Sequence, residues 1–189
     1  MRQRSQSVRR PSKRSTPKTL DAALKRVKIL LCDVDGVLTN GTVLIGNGIE
    51  FKAFNIHDGL GLRVLQRHGV KVGWVSNRSS SATQQRAEEL KVDFLSQSNG
   101  NKVKAVEAIL AETGAGWDEV CYVGDDIVDL GVLKRAGVAV AVANAIPEVK
   151  AAAHYVTATE GGCGAVREVV HLILQAQDKW NAIVQEHSA

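Results

Sequence analysis

Residues 29–41, "ILLCDVDGVLTNG", place two carboxylates, Asp33 and Asp35, two residues apart directly after an aliphatic run. Like charges repel each other and the burial of a charge is costly, so this arrangement needs a compensating partner. A turn could hold both acids through backbone hydrogen bonds alone, whereas a catalytic or metal-binding rim would use the two carboxylates together. The rest of the sequence decides between these interpretations.

The charge of the chain is concentrated at its start. Residues 1–18 contain seven of the 24 Lys/Arg and no acid, which leaves 17 Lys/Arg against 20 Asp/Glu in the remainder, a net charge of −3. We predict a disordered basic tail over 1–18, with a weak anchor or targeting segment as the alternative. We predict a single domain over 19–189, with no nucleic-acid partner for this body.

Cysteine usage and hydropathy narrow the class of protein further. The three cysteines show no CxxC spacing, which indicates neither a disulfide framework nor a zinc site. Cys32 and Cys121 lie within aliphatic runs and are expected to be buried. No apolar stretch approaches the roughly 20 residues that a membrane span needs. We therefore expect a cytoplasmic protein without a membrane partner.

Short aliphatic runs alternate with helical patterns along the body. Strands are predicted at 27–32, 70–76, 120–124 and 138–142, with shorter ones at 93–96 and 154–157. Helices are predicted at 59–68, 79–90, 102–112, 127–136 and 164–185. This alternation predicts an α/β fold, a Rossmann-like open parallel sheet with helices on both faces. The exception is 41–55, where β-rich runs flank Gly46-Asn47-Gly48, so we predict a β-hairpin that projects after the first strand.

Polar side chains follow the predicted strands. In chain order they are Asp33 and Asp35, then Ser76 and Asn77, then Asp125, Asp126 and Asp129, with Lys102 at the start of a helix. The ligand crevice of an open α/β sheet lies beyond the carboxyl ends of its strands, so these side chains are expected to meet at one rim. A shared rim explains the opening pair of acids better than a local turn does.

Several acids around one lysine suit phosphoryl transfer. A hard divalent cation relieves the repulsion between carboxylates, and oxygen ligands favour Mg²⁺. Lys102 would neutralise another face of the phosphoryl group, and Ser76 with nearby backbone N–H groups would donate to phosphate oxygens. Asp33 can attack phosphorus to form an aspartyl-phosphate. Asp35, on the same side of the strand, can protonate the leaving alcohol and later activate water.

The motifs resemble a known group of enzymes. "DVDGVLT" (33–39), Ser76, Lys102 and "GDDIVD" (124–129) match, in order, the four motifs of the haloacid dehalogenase (HAD) superfamily of phosphatases. "FNIHDGLGLRVL", "SQSNGNK" and "GGCGAVREV" extend the resemblance to the 3-deoxy-D-manno-octulosonate 8-phosphate phosphatases, over about residues 27 to 175. This resemblance implies a HAD-like phosphatase domain without a separate cap, acting in lipopolysaccharide precursor biosynthesis.

The same resemblance implies roles for individual residues. Asp33 would be the nucleophile and Asp35 the general acid/base, with Mg²⁺ held by Asp33, the Asp35 backbone carbonyl and Asp125. Ser76, Asn77 and Lys102 would bind phosphate, and Asp126 and Asp129 would position the metal shell or Lys102. It also implies a homotetramer, in which hairpin 41–55 builds a central barrel and a neighbour's tail covers the site.

Further contacts to a phosphorylated sugar acid are expected outside these motifs. Asp58 and Gly59 begin a Gly-rich helix start at which substrate could approach backbone N–H groups, although an ordinary capped loop explains them nearly as well. Arg63 and Arg78 are candidates for the substrate carboxylate, with a solvated helix face as the alternative. Asp126 and Asp129 could also simply favour a helix N-terminus.

The sequence departs from the family pattern at three places: the basic tail 1–18 has no counterpart, Asn77 alters the contacts expected to phosphate, and Cys163 leaves the sugar acid open. The second motif reads Ser76-Asn77-Arg78 where Thr-Gly-Arg is common, and Cys163 stands where the tail motif usually has Arg. A nonulosonate 9-phosphate is therefore the alternative substrate. From another class of protein, a non-catalytic phospho-receiver would share the acids and the lysine, but it has no use for an acid at Asp35 that speeds hydrolysis. A catalytically dead sugar-binding oligomer is the third alternative.

Overall fold

The protein is described here from a computed structural model, which covers residues 17–188. The predicted tail lies outside the described residues, except that its last two residues begin the first helix. The strands are β1 (Ile29–Cys32), β2 (Leu44–Gly46), β3 (Ile49–Phe51), β4 (Lys71–Ser76), β5 (Phe94–Gln97), β6 (Val120–Gly124), β7 (Val138–Ala141) and β8 (Tyr155–Val156). The helices are α1 (Pro17–Lys25), α2 (Ile56–Arg67), α3 (Ser81–Leu90), α4 (Lys102–Thr113), α5 (Leu130–Leu133), α6 (Pro147–Ala152), α7 (Ala165–Ala176) and α8 (Trp180–Glu186).

Six strands form one parallel sheet in the order β5-β4-β1-β6-β7-β8. Strands β1, β6 and β7 are buried at every position, as expected for aliphatic strands covered on both faces. Helices α1, α2, α3 and α7 pack together, and α4, α5 and α6 form the other group. The predicted open parallel sheet with two helical layers is confirmed. Cys32 and Cys121 are fully buried in it, also as predicted.

The order of the strands places a crevice beside β1. The chain moves from β1 outward to β4 and β5, and then crosses back to β6 and continues outward to β8. Strands β1 and β6 therefore lie at the topological switch point, where ligands bind in folds of this kind. The acids at 33–35 and 125–126 follow these two strands directly.

Strands β2 and β3 form the predicted hairpin, separate from the main sheet. The turn between them places Asn47 and Gly48 at positive φ, which this tight connection requires and which these residue types tolerate. Leu44, Ile45, Ile49 and Phe51 are exposed on the hairpin.

Several predicted helices differ from the observed ones. Helix α1 was not predicted, and α2 begins at Ile56 rather than at residue 59, because the Asn55 side chain accepts from the N–H groups of His57 and Asp58. The predicted helix 127–136 is a 3₁₀ turn followed by the short α5. The predicted helix 164–185 is divided into α7 and α8, with Asp178 at a φ of 58° between them. Within residues 17–188 the longest helices have 12 residues, too short and too polar to cross a bilayer.

Candidate active site

A cavity of about 260 Å³ opens at the carboxyl ends of β1, β4 and β6. It is lined by Asp33, Asp35, Ser76, Asn77, Arg78, Lys102, Asp125, Asp126 and Val128. Eight of these nine residues were predicted from the sequence as site residues. The parallel strands and the start of α4 bring them together from four separate segments of the chain, as the switch-point argument requires.

Lys102 lies between two buried carboxylates at the floor of the site. Its Nζ is 2.8 Å from Asp33 Oδ2 and 2.8 Å from Asp129 Oδ1, and its side chain is 2 % exposed. Burial lowers the pKa of Lys102, but the two carboxylates outweigh this effect and raise the pKa overall. Lys102 therefore stays charged, and the backbone N–H of Val34 donates to the other Asp33 oxygen at 2.7 Å.

Asp129 is bonded through both of its oxygens. Oδ1 accepts from Lys102 and from the Tyr122 hydroxyl at 2.7 Å, and Oδ2 accepts from the backbone N–H groups of Asp125 at 3.0 Å and Asp126 at 3.3 Å. Asp129 is fully buried. It thus contacts Lys102 and the loop after β6 at the same time, and the positioning role that the family resemblance implies for it stays a prediction.

Asp33 and Asp125 carry charge that the protein alone compensates poorly. Burial and then the charge of Asp129 raise the pKa of Asp33 to about 6, against the opposing effect of Lys102. Burial and then the charge of Asp33 raise the pKa of Asp125 to about 7. Oxygen atoms of Asp33, Asp125 and Asp129 lie within 4.8 Å of one another. Clustered carboxylates with raised pKa values are the environment that a divalent cation stabilises.

The donor set fits Mg²⁺. Asp125 Oδ1 is buried and has no hydrogen-bond donor among the described residues. A Cβ on Gly36 would lie 2.1 Å from Asp125 Oδ2, so the glycine, at a φ of 90°, leaves room for this carboxylate beside the β1 loop. Each oxygen of Asp129 accepts from two protein donors, whereas each oxygen of Asp33 has only one, Lys102 or Val34 N, and keeps a lone pair. Asp33 and Asp125 are therefore the side chains that would hold the ion. The Asp35 backbone carbonyl as a third ligand stays a prediction.

The end of β4 and the loop after it supply another part of the cavity lining. Ser76 is 3 % exposed, and its Oγ accepts from Arg78 N at 3.1 Å. Asn77 lines the cavity beside it. The predicted roles of Ser76 and Asn77 in phosphate binding remain predictions, and the fact that both line the same cavity as Lys102 is consistent with them.

Asp35 belongs to a closed ring of four charges, which we call the Asp35 ring and which consists of Asp35, Lys52, Glu50 and Arg78. Lys52 Nζ is 2.7 Å from Asp35 Oδ1 and 3.7 Å from Glu50 Oε1. Arg78 Nε is 3.3 Å from Asp35 Oδ2, and Arg78 Nη2 donates to Glu50 Oε2. The ring joins the β1 loop, hairpin strand β3 and the loop after β4.

Three predicted residues lie outside the cavity lining, and a fourth, Asp126, lies in the lining but bonds to its own neighbour. Asp58 is buried, and its Oδ1 accepts from Arg167 N at 2.6 Å, so it caps α7 instead of lining the cavity. A Cβ on Gly59 would meet Arg86, and Arg63 donates to Leu90 O at 2.9 Å; both residues face α3. Asp126 lines the cavity, but its side chain accepts from its neighbour Ile127 N, which matches the interpretation as a helix-start acid.

Sequence reasoning missed three residues of the site: Lys52, Glu50 and Tyr122. Glu50 lies in β3 and Lys52 directly follows it, so in extended backbone the two point to the same side, away from Ile49 and Phe51, and this alternation could have singled them out. Tyr122 is the only side chain with a hydroxyl in the buried run "VCYVG". A buried tyrosine hydroxyl usually has a hydrogen-bond partner, and here that partner is Asp129.

The loop with Cys163 also lies near the site. Gly162 N donates to Val37 O at 2.9 Å, and a Cβ on Gly161 would lie 1.7 Å from Gly36 O. The loop therefore packs closely on the turn that follows Asp35. Cys163 itself is exposed at this position.

Relatives with a similar sequence identify the family to which the chain belongs. A 3-deoxy-D-manno-octulosonate 8-phosphate phosphatase from Yersinia pestis is 43 % identical over 81 % of this chain and 82 % of its own length. The chain belongs to the 3-deoxy-D-manno-octulosonate 8-phosphate phosphatase family. The Escherichia coli K12 member of this family is 40 % identical over 84 % of this chain and 85 % of its own. Residues 94–169 also match the haloacid dehalogenase-like hydrolase family.

Solved structures of the octulosonate 8-phosphate phosphatase family share the fold. The Yersinia pestis structure has a TM-score of 0.84 at 41 % identity and covers 85 % of this chain and 88 % of its own. The Moraxella catarrhalis enzyme, solved with magnesium, phosphate and KDO, has a TM-score of 0.89 at 34 % identity and covers 91 % and 99 %. The resemblance noted from the sequence motifs is confirmed.

Proposed function

We propose that this protein is a Mg²⁺-dependent phosphatase that hydrolyses 3-deoxy-D-manno-octulosonate 8-phosphate to the free sugar acid and phosphate, in lipopolysaccharide precursor biosynthesis. The observation that carries the proposal is the single cavity in which Asp33, Asp35, Lys102 and Asp125 meet. Relatives with this named activity are 40–43 % identical to the chain. A solved relative was crystallised with magnesium, phosphate and KDO.

The first step transfers the phosphoryl group to the protein. An Asp33 oxygen forms a bond to phosphorus while the bond between phosphorus and the sugar oxygen breaks, and that oxygen leaves with the electron pair. Asp35 donates a proton to it, so the sugar departs as a neutral alcohol. Lys102, 2.8 Å from Asp33, keeps the nucleophile in place and supplies positive charge for the phosphoryl oxygens.

The second step regenerates Asp33. Asp35, now a carboxylate, takes a proton from water while the water oxygen attacks phosphorus. The bond between phosphorus and Asp33 breaks, its electron pair returns to the carboxylate, and inorganic phosphate is released. A bound Mg²⁺ supplies charge that offsets the negative oxygens of the transferring group.

The alternative activities are less well supported. Named relatives at 40–43 % identity act on the octulosonate phosphate, which favours it over a nonulosonate 9-phosphate. A phospho-receiver needs a long-lived aspartyl-phosphate, and here the carboxyl of Asp35 lines the same cavity as Asp33.

The assembly is a further part of the proposal. We propose a cytoplasmic homotetramer built through the hairpin, supported by the exposure of Leu44, Ile45, Ile49 and Phe51, between 56 % and 77 %, on a two-stranded element. Deleting residues 46–48 should lower the mass measured by light scattering. An unchanged mass would contradict the role of the hairpin.

Phosphate release with and without Mg²⁺ tests the activity. The substrates are octulosonate 8-phosphate, a nonulosonate 9-phosphate and several neutral sugar phosphates. We expect strong preference for the octulosonate and loss of turnover in chelator. Comparable turnover of neutral sugar phosphates would overturn the substrate, and a stable phosphoprotein without turnover would overturn the reaction.

A further inference from the structure

Lys52 is a buried cation without a predicted role. Its side chain is 0 % exposed, although it follows β3 of a hairpin whose other face is open. A buried ammonium is costly unless it is paired and hydrogen-bonded. Lys52 meets this requirement through Asp35 at 2.7 Å, Glu50 at 3.7 Å and the Thr83 hydroxyl at 3.2 Å. Its place is therefore fixed by three separate elements.

The two cations on Asp35 differ in exposure. Arg78 contacts Asp35 Oδ2, but its side chain is 43 % exposed, so solvent or an incoming anion can reach it. Lys52 contacts Oδ1 from a position that solvent does not reach. Lys52 is thus the partner that stays on Asp35 when Arg78 meets another group. Glu50 also receives a hydrogen bond from Ser80 at 2.6 Å, so the far side of the ring is fixed to the start of α3.

We infer that Lys52 is a positioning residue that holds the Asp35 carboxyl where it reaches the leaving oxygen of the substrate. Lys52 itself lies outside the cavity lining, so it would act through Asp35 and not on the substrate directly. The inference rests on the proposed function, in which Asp35 donates the proton to the sugar oxygen. It also connects the hairpin to the chemistry, because β3 carries Glu50 and leads directly into Lys52.

The test uses leaving groups that differ in their need for a proton. An alkyl oxygen leaves poorly without one, whereas p-nitrophenolate leaves well unprotonated. Because kcat/KM reports the steps up to transfer of the phosphoryl group, the ratio of kcat/KM for octulosonate 8-phosphate and p-nitrophenyl phosphate isolates proton donation. The ratio comes from one preparation, so an incompletely folded fraction cancels out of it.

For Lys52→Met we expect this ratio to fall by about 10- to 100-fold, a large part of the ~10²–10⁴ that general acid catalysis contributes. Lys52→Arg, which keeps the charge, should recover part of the loss. Lys104→Met makes the same substitution at an exposed lysine on α4 and should leave the ratio unchanged. Equal losses on both substrates, or no loss in Lys52→Met, would overturn the inference.

Other outcomes of the same measurements would contradict the proposed function and not only the role of Lys52. If the parent protein hydrolyses p-nitrophenyl phosphate but not octulosonate 8-phosphate, the proposed substrate is wrong, and the ratio is taken with whichever alkyl phosphate the parent does hydrolyse. If Asp35→Asn leaves the ratio unchanged, Asp35 is not the proton donor, and both the mechanism and the role of Lys52 are overturned. A fall in the ratio for Asp35→Asn but not for Lys52→Met overturns only the inference.

Discussion

Lys102 and Lys52 are both buried and each lies between two carboxylates, but they belong to different parts of the molecule. Lys102 stands at the first residue of α4, 2.8 Å from Asp33 and from Asp129, among groups that follow strands of the main sheet. Lys52 comes from the hairpin and joins Asp35 to Glu50. In the proposed mechanism, Lys102 contacts the nucleophile Asp33 and Lys52 contacts the acid Asp35, so the nucleophile and the proton donor would depend on different elements of the fold.

The largest loss of activity is expected when Asp33, the nucleophile of the proposed mechanism, is replaced. Asp33→Asn should lower turnover by at least about 10⁴-fold, because an amide does not attack phosphorus and no other described carboxylate occupies the same position. Phosphate release measures the effect, and Asp21→Asn, an exposed acid on α1, is the control that should keep full activity. Activity within tenfold of the parent would show that Asp33 is not the nucleophile.

The next largest effect is expected at Lys102. Lys102→Met leaves Asp33 and Asp129 facing each other without their shared cation, and removing one partner of a buried ion pair costs about 3–5 kcal/mol. Chemical denaturation at neutral pH should show a loss of this size, and turnover should fall as well. Lys104→Met, two residues along the same helix and exposed, should cost less than about 0.5 kcal/mol. Equal stability of the two variants would contradict the account of Lys102.

The same two lysines show how much of the site can be predicted from the sequence. Lys102 could be found because it begins a helix between strands whose ends carry the acids, so topology alone places it at the rim. Lys52 could not be found this way, because the position of a hairpin over a sheet depends on tertiary packing. Its only signal was the shared face with Glu50. Asp58 shows the opposite error, since a carboxylate beside glycines suggested substrate and instead caps α7 from 109 residues away.

Some features of the fold, like some residues of the site, could be predicted from the sequence and others could not. Aliphatic runs and their spacing predicted the six parallel strands, because burial on both faces leaves a direct mark on the sequence. The helix ends were less predictable. The break between α7 and α8 depends on Asp178 at positive φ, a conformation that an apolar stripe running through both helices does not indicate. Local backbone geometry and caps from distant residues determine where the helices begin and end, and hydrophobic periodicity does not indicate these positions.

Mg²⁺ should act at Asp33, the carboxylate that Lys102 contacts, and at Asp125. In chelator, the pKa of Asp33 is about 6 and that of Asp125 is about 7, whereas an aspartate in the unfolded chain has a pKa of about 3.9. Between the unfolded and the folded pKa values, the folded protein therefore binds more protons than the unfolded chain does. The free energy of unfolding should therefore rise as the pH falls from about 8 to 6. Saturating Mg²⁺, at about 100 times its Kd, should add about 2.7 kcal/mol at the higher pH and less at the lower, because protons compete for the same oxygens.

Melting temperatures with and without Mg²⁺ at both pH values measure this effect. Asp125→Asn removes one side chain of the pair that would hold the ion and should abolish most of the stabilisation. A melting temperature that does not respond to Mg²⁺ in the parent would contradict the assignment of Asp33 and Asp125. An equal response at the two pH values would contradict the competition with protons.

The smallest effect is expected for Tyr122→Phe, which tests whether the hydrogen bond from Tyr122 to Asp129 is needed to hold Lys102 in place. The Tyr122 hydroxyl donates to Asp129 at 2.7 Å in a fully buried position, and the Tyr155 hydroxyl donates to Glu168 at the same distance in a partly buried one. Tyr122→Phe should cost about 1.5 kcal/mol, the low end for a bond to a charged group, because Lys102 still pairs with Asp129. Tyr155→Phe should cost less, since water can reach Glu168.

Neither tyrosine variant should change kcat/KM by more than about threefold, because the contact between Lys102 and Asp33 is intact in both. Denaturation and phosphate release on the two variants supply the measurements. A loss above tenfold in Tyr122→Phe alone would mean that Asp129 needs this hydroxyl to hold Lys102 in place. The nucleophile would then depend on a chain of contacts from Tyr122 through Asp129 to Lys102, longer than the single contact that joins Asp35 to Lys52.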